Sequence, residues 1–148
     1  MSLQEQLMQE LKAAMKAKES VKMSTLRLLL SQLKNRQIEK REELTSDDEL
    51  AVVANAVKKR KEAIELYEQS ERLDLLEKEK QELEILSVFL PEQLSESEIE
   101  EVVANAITET GATTMKEMGR VMKEAMAQLK GKADGKLVQQ IVRQKLTS

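Results

Sequence analysis

Eight basic side chains towards the end of the chain are the residues whose types and spacing point most directly to chemistry: Lys116, Arg120, Lys123, Lys130, Lys132, Lys136, Arg143 and Lys145. The first four fall at i, i+4, i+7 and i+14, which is one stripe of a helix. Lys132 and Lys136 flank the turn that follows, and Arg143 and Lys145 extend the positive charge. From Gly111 onward these eight bases are set against three acids, Glu117, Glu124 and Asp134. Such an array can track phosphates, each neutralised contact releasing counterions and adding salt-dependent affinity. The alternative is a solvated polar face, which every amphipathic helix needs, here opposite Met118, Val121, Met122, Ala125 and Leu129. Tyr67 and Phe89 are the only aromatic residues, which argues against single-strand readers that stack bases on aromatic platforms. Recognition of structured RNA by shape needs none.

Other segments offer weaker chemistry. Gly131-Lys132-Ala133-Asp134-Gly135 combines two glycines, a base and a helix start, all features of an anion site. The Asp134 carboxylate would repel a phosphate, however, and as a plain helix–helix turn the segment needs no ligand. Asp47-Asp48-Glu49 could hold Mg²⁺ or, more simply, complement the dipole of a helix's first turn. Lys58-Lys59-Arg60-Lys61 spreads around a helix and is followed by Glu62, Glu65 and Glu68, so it reads as solvated charge. With no His and no Cys, imidazole bases, thiolate nucleophiles, disulfides and Cys/His metal sites are excluded. Phosphate-binding and nucleophile-elbow glycine motifs are absent too. We therefore expect no catalytic residue, no metal, no cofactor and no stand-alone enzyme. A net charge of −3, from 24 bases and 27 acids, excludes neither nucleic acid nor protein as a partner.

The elements that position these residues follow from composition and periodicity. A 148-residue chain that is 34% charged and 1% aromatic, rich in Glu, Lys, Leu, Ala and Gln, is expected to be all α. Ser2 to Glu5 reads as a capping box ahead of Leu3, Leu7, Leu11 and Met15. A second helix spans about Ser20 to Glu42, with Leu26, Leu29, Leu30 and Leu33 inward. Ser46 to Glu49 reads as a capping box opening a third helix, which buries Leu50, Val53, Val57 and Ile64 and ends near Ser70. The fourth carries Leu73, Leu76, Leu83 and Leu86 and stops around Leu90, because Pro91 disfavours helix at the residue before it.

Pro91 also marks a composition change: residues 91–110 hold six acids and no base, and all four glycines lie beyond. The expected organisation is an N-terminal bundle of about four helices, residues 1–90, and a three-helix tail, residues 91–148. Ser95 caps the first tail helix and Gly111 ends it; Thr114 caps the second; Asp134 caps the third, which buries Leu137, Val138, Ile141, Val142 and Leu146. In the second, Met115, Met118, Met122 and Met126 read as core or as an adaptable partner surface. Gly119 there is unfavourable by about 1 kcal/mol relative to Ala, and its expected compensation is close packing against the final helix. The pentapeptide at Val52–Ala56 recurs at Val102–Ala106, as two similarly patterned helix starts. No apolar stretch approaches a membrane span and the start of the chain lacks an apolar signal core, so a cytoplasmic protein without membrane contact is expected.

At the tail the residues become recognisable. Met118-Gly119-Arg120-Val121-Met122, Lys130 through Gly135 and Val138 through Leu146 resemble the YqeY-like family, which is related to the C-terminal tail domain of the B subunit (GatB) of the tRNA-dependent amidotransferase. Ser24 through Leu29, Val57-Lys58-Lys59-Arg60 and Phe89 through Ser95 extend the resemblance to the N-terminal part. Where the amidotransferase tail often has Asn-Pro, this chain has Asp134-Gly135, which keeps a cap and loses a rigid helix start. The resemblance implies an all-helical protein of two domains; in the amidotransferase, the corresponding tail contacts the body of the tRNA and helps present its aminoacyl end. It also implies that a label such as carbon–nitrogen ligase with glutamine as amide donor describes the complex in which such a domain occurs. The leading expectation is thus a non-catalytic module that binds tRNA or another structured RNA through the basic side of its tail. The alternative is a protein-interaction adaptor or accessory subunit that uses the acidic 92–109 segment and the Met-lined helix to engage an amidotransferase or synthetase.

Overall fold

In a computed structural model, which describes residues 2–147, the chain forms seven α-helices, and no strand occurs among the described residues. They are α1 (Leu3–Ala17), α2 (Ser20–Lys40), α3 (Ser46–Gln69), α4 (Leu73–Ser87), α5 (Glu96–Thr110), α6 (Met118–Leu129) and α7 (Gly135–Thr147), with a short 3₁₀ turn at Met115–Glu117. Their contacts divide the chain into two compact units, Met1–Leu90 and Pro91–Ser148.

Three helices open with the same reciprocal device. The side-chain oxygens of Ser2, Thr45 and Ser95 accept the backbone N–H of Glu5, Asp48 and Glu98. Those acids in turn accept the N–H of the capping residue, so two orphan donors are satisfied at each start. For α3 the cap is Thr45, one residue before the expected Ser46. The reason is geometric: Asp48 closes the pair with Thr45, whereas Glu49, the partner expected for Ser46, accepts the Leu3 N–H at 2.9 Å and ties α3 to the start of α1.

Two helix ends also differ from expectation. α2 stops at Lys40, short of Glu42, because Arg41 turns left-handed (φ 61°) and closes on the Gln37 carbonyl. The Lys40 ammonium there lies on the Asp48 carboxylate, joining the end of α2 to the start of α3. α4 stops at Ser87, where the Phe89 and Leu90 N–H groups reach back three residues to Leu86 and Ser87. These tight turns replace the last helical turn ahead of Pro91.

The first unit buries Leu7, Leu26, Leu29, Leu33 and Val53 almost completely, with Ala56, Val57 and Leu86 beside them. Its sequence pattern was only partly a guide. Ala14 takes an inward place that Met15, half exposed, does not, and Leu73 is 71% exposed at the first position of α4. Leu50 and Ile64 are half-buried, because α3 is covered by its neighbours mainly around Val53, Ala56 and Val57, and Leu83 on α4 is half-buried as well. The second unit has an aliphatic core from α5 (Ile99, Val103, Ala106), α6 (Val121, Ala125, Leu129) and α7 (Val138, Ile141, Val142, Leu146). The repeated pentapeptide has one burial pattern in both units: Val53 and Ala56 are buried, as are Val103 and Ala106, while Asn55 and Asn105 face solvent.

Candidate nucleic-acid interface

The basic residues of the second unit are positioned by helix ends. α5 closes on Gly111, whose left-handed backbone (φ 70°) lets its N–H reach the Ile107 carbonyl at 2.9 Å. The next start differs from expectation. The Thr114 side chain makes no capping bond; instead Glu117 accepts the Thr113 N–H at 2.6 Å. The chain then runs from the 3₁₀ turn directly into α6. That helix buries Val121, Ala125 and Leu129, and Met118, Met122 and Met126 pack against the core from its flanks, whereas Met115 is exposed.

α6 ends at Leu129. Lys130 leaves the helical conformation (ψ 121°) and Gly131 turns left-handed (φ 76°). The turn is then tied down on both sides. Within it, the N–H groups of Lys132 and Ala133 both donate to the Leu129 carbonyl, at 2.8 and 3.2 Å. Across the unit, the Leu94 N–H donates to the Lys132 carbonyl (2.9 Å) and the Gln93 amide to the Gly131 carbonyl (2.7 Å). Asp134 starts α7: its carboxylate accepts the Lys136 N–H and its carbonyl the Val138 N–H, each at 3.1 Å. The N–H groups of Lys132, Ala133 and Lys136 are therefore already used, which makes the segment a helix–helix turn rather than an anion cradle.

All eight predicted basic residues are solvent-exposed, but they do not form one continuous stripe. Lys116 lies in the 3₁₀ turn, Arg120 and Lys123 on α6, and Lys130 and Lys132 in the turn beyond it. The expected i+14 alignment of Lys130 is corrected, because helical phase stops with the helix at Leu129. On α7, Lys136 and Arg143 are two turns apart on one side, while Lys145 points about 160° away from Arg143. Arg120 has a structural duty that its sequence position did not announce: its guanidinium donates to the Thr110 carbonyl at 3.0 Å, satisfying the end of α5. Among the described residues, Lys116, Lys123, Lys132 and Arg143 have no ion pair. The compensation expected for Gly119 is also absent. It lies on the exposed side of α6, and nothing beyond its own helix comes within 4 Å of the position a Cβ would take.

In the first unit Asp48 and Arg60 are engaged in structure, whereas Lys59 and Lys61 are exposed with no ion pair among the described residues. Asp48 is held well below the usual carboxylate range, first by its hydrogen bond from Lys40 and then by the N–H and hydroxyl of Thr45. Arg60 corrects the reading of its cluster as solvated charge. Its guanidinium bridges Glu79 at 3.2 Å and Glu82 at 2.9 Å on α4. Burial, followed by the neighbouring Glu79, pushes the Glu82 carboxyl up. This clamp borders a cleft of about 210 Å³ lined by Thr25, Leu28, Ala56, Arg60 and Glu82, so two of the segments that carried the resemblance, 24–29 and 57–60, meet there. No described helix is long and apolar enough to cross a membrane.

Comparison with known proteins gives this arrangement a context. Residues 4–146 match the family described as Yqey-like protein. An uncharacterised protein of Schizosaccharomyces pombe is 37% identical over 94 residues, covering 64% of this chain and 76% of the relative. Altered inheritance of mitochondria protein 41, mitochondrial, of Lachancea thermotolerans is 36% identical over 108 residues, covering 70% of this chain and 57% of the relative. The chain thus spans little more than half the length of that protein. A glutamyl-tRNA(Gln) amidotransferase component of Thermococcus sibiricus is 47% identical over 58 residues, which is 36% of this chain and 9% of that relative. The expectation of a cytoplasmic protein is overturned by relatives named as mitochondrial. Mitochondrial addresses are amphipathic and Arg-rich rather than apolar, so the lack of an apolar signal core could not decide the compartment.

Proposed function

The chain belongs to the Yqey-like protein family, and on that footing we propose that it is a non-catalytic helical module that binds tRNA or another structured RNA, in the setting of tRNA-dependent amide transfer. One observation carries the proposal: Lys116, Lys123, Lys132 and Arg143 stand at the surface of the second unit, with no carboxylate among the described residues paired to them. A cation already paired inside the protein must lose that partner to meet a phosphate; these four need not. Phosphate contacts of this kind position a nucleic acid without reading its bases, which suits a unit whose residues 91–148 include no aromatic. The similarity to part of an amidotransferase component supports tRNA as the RNA to test first.

Lys123→Glu with Lys132→Glu, assayed in the nuclease-treated full chain against labelled bulk tRNA across a salt series, tests this reading. Wild-type affinity should fall with salt, and losing two phosphate contacts should flatten the log–log slope by about 1.5–2. Identical affinity and slope in the double variant would remove these residues from the interface. A second reading, an accessory subunit that docks on an amidotransferase or synthetase, draws on the exposed acids Glu92, Glu96, Glu100, Glu101 and Glu109. It predicts a stoichiometric protein complex that survives nuclease and, on mixing, a stimulated amide transfer that the chain alone does not catalyse.

A further inference from the structure

The cleft beside the Arg60 clamp has the make-up of a small-molecule site: apolar walls with a few convergent polar groups. Residues of α2, α3 and α4 enclose about 210 Å³, the volume of roughly seven waters. Leu28, Leu29, Ala56 and Leu86 supply the apolar walls. Leu28 is 49% exposed, although Leu29 and Leu30, which follow it on α2, are buried. A ligand with an aliphatic body would take that surface out of water, which favours binding.

The polar groups of the cleft select the head of that ligand. A guanidinium is a planar fork of five donors, and Arg60 uses one end of it. Its bonds to Glu79 and Glu82, at 2.9, 3.2 and 3.4 Å, all leave from Nη1. Among the described residues nothing accepts from its Nε or Nη2, and the half-buried Gln32 amide has no hydrogen-bond partner. Lys78, one turn before Glu82 on α4, lines the same cleft and has no ion pair there. Against these donors stands one lining carboxylate, Glu82, which already accepts from Arg60. The hydroxyls of Ser24 and Thr25 are committed to the Val21 carbonyl. The unused groups are therefore mainly donors, two of them cationic, and the flat edge of a guanidinium matches a carboxylate. A clamp that only joined α3 to α4 would need Nη1 alone. It gives no reason for the volume beside it, the free Gln32 amide or the exposure of Leu28.

We propose that this cleft binds a small aliphatic carboxylate, its hydrocarbon body against Leu28, Leu29 and Leu86 and its carboxylate on the unused edge of Arg60, with Lys78 and Gln32 as further donors. The site stands apart from the RNA reading, since every group it uses belongs to the first unit.

The test titrates hexanoate into the full chain and follows amide NMR spectra, with hexanol and hexylammonium as head-group controls. Hexanoate should bind saturably with a dissociation constant of about 1 mM, and each control about tenfold more weakly. The shifted amides should fall within residues 24–32, 56–60 and 78–86. Lys78→Gln and Gln32→Ala should each weaken hexanoate about fivefold, the loss of about one hydrogen bond, with thermal unfolding recorded in parallel to show that both variants fold. Arg60 is left intact, because its clamp supports the fold whatever the cleft binds. No saturable shift at about 10 mM hexanoate, shifts scattered over the surface, or wild-type affinity in both variants would overturn the site. Hexanol binding as tightly as hexanoate would overturn the proposal by reducing the cleft to an apolar gap. Tighter binding of hexylammonium would overturn it by giving the head group to Glu82.

Discussion

Replacing Arg60 by Met would keep an unbranched stem against α4 and remove the charge between Glu79 and Glu82. The two carboxylates sit three residues apart on one face of α4, and the three side chains are only 20%, 15% and 12% exposed. An exposed ion pair contributes about 0–1 kcal/mol, and breaking a fully buried one costs about 3–5 kcal/mol. This clamp lies between, nearer the buried limit, so Arg60→Met should cost about 2–3 kcal/mol at pH 7.5. The loss must also depend on pH. Glu82 is already pushed up by burial and then by Glu79, while Arg60 opposes both. Removing Arg60 raises that carboxyl further. A carboxyl raised in the folded state penalises folding where it is ionised, so the penalty grows with rising pH and is relieved on acidification. Urea unfolding followed by circular dichroism at pH 5 and pH 7.5 would measure both effects. Adding Glu82→Gln should recover part of the loss, because one of the two uncompensated charges is gone. A cost below about 0.5 kcal/mol at pH 7.5, or the same cost at both pH values, would refute the argument.

Two further outcomes follow from the turn between α2 and α3. Asp48 is held below the usual carboxylate range by Lys40 first and Thr45 next, so its contribution to stability is present above the unfolded value of about 4 and is lost as pH falls through the folded one. Asp48→Asn should therefore lower the unfolding temperature at neutral pH and make stability fall less steeply below about pH 4; parallel acid limbs in the two proteins would contradict this. Thr45→Ala should cost about 1 kcal/mol by removing the cap, while Ser46→Ala should be close to neutral in the same urea assay, and the reverse order would restore Ser46 as the cap.

The all-helical fold was legible because helix-favouring composition, capping boxes and the apolar period point the same way, as they do at Ser95, Ile99, Val103 and Ala106. The shift from Ser46 to Thr45 was legible too, through a signal left unused. Thr45, Asp48 and Val52 stand at the same spacing as Ser95, Glu98 and Val102, so aligning the repeated pentapeptides puts the two true caps opposite each other. What local reading could not supply were partners distant in sequence. Arg60 finds Glu79 and Glu82 across the gap between α3 and α4, and Arg120 finds a backbone carbonyl of α5; neither choice leaves a trace in the residues nearby. The basic stripe was over-read for a related reason. Counting by turns carried Lys130 past a helix that had ended, and a periodicity cannot announce its own last residue.

The hydrogen bond from the Leu94 amide to the Lys132 carbonyl has a consequence for kinetics. Leu94 precedes α5, so no helix of its own shelters that proton, and its exchange with solvent waits on separation from the α6–α7 turn. Its exchange rate therefore reads how often two stretches far apart in the sequence come apart, separately from the fraying of any helix. The ends of a loop that long meet late, after the helices between them have formed. During refolding, the Leu94 proton should accordingly become protected after the amides of α5 and α6, timing the moment at which the second unit closes.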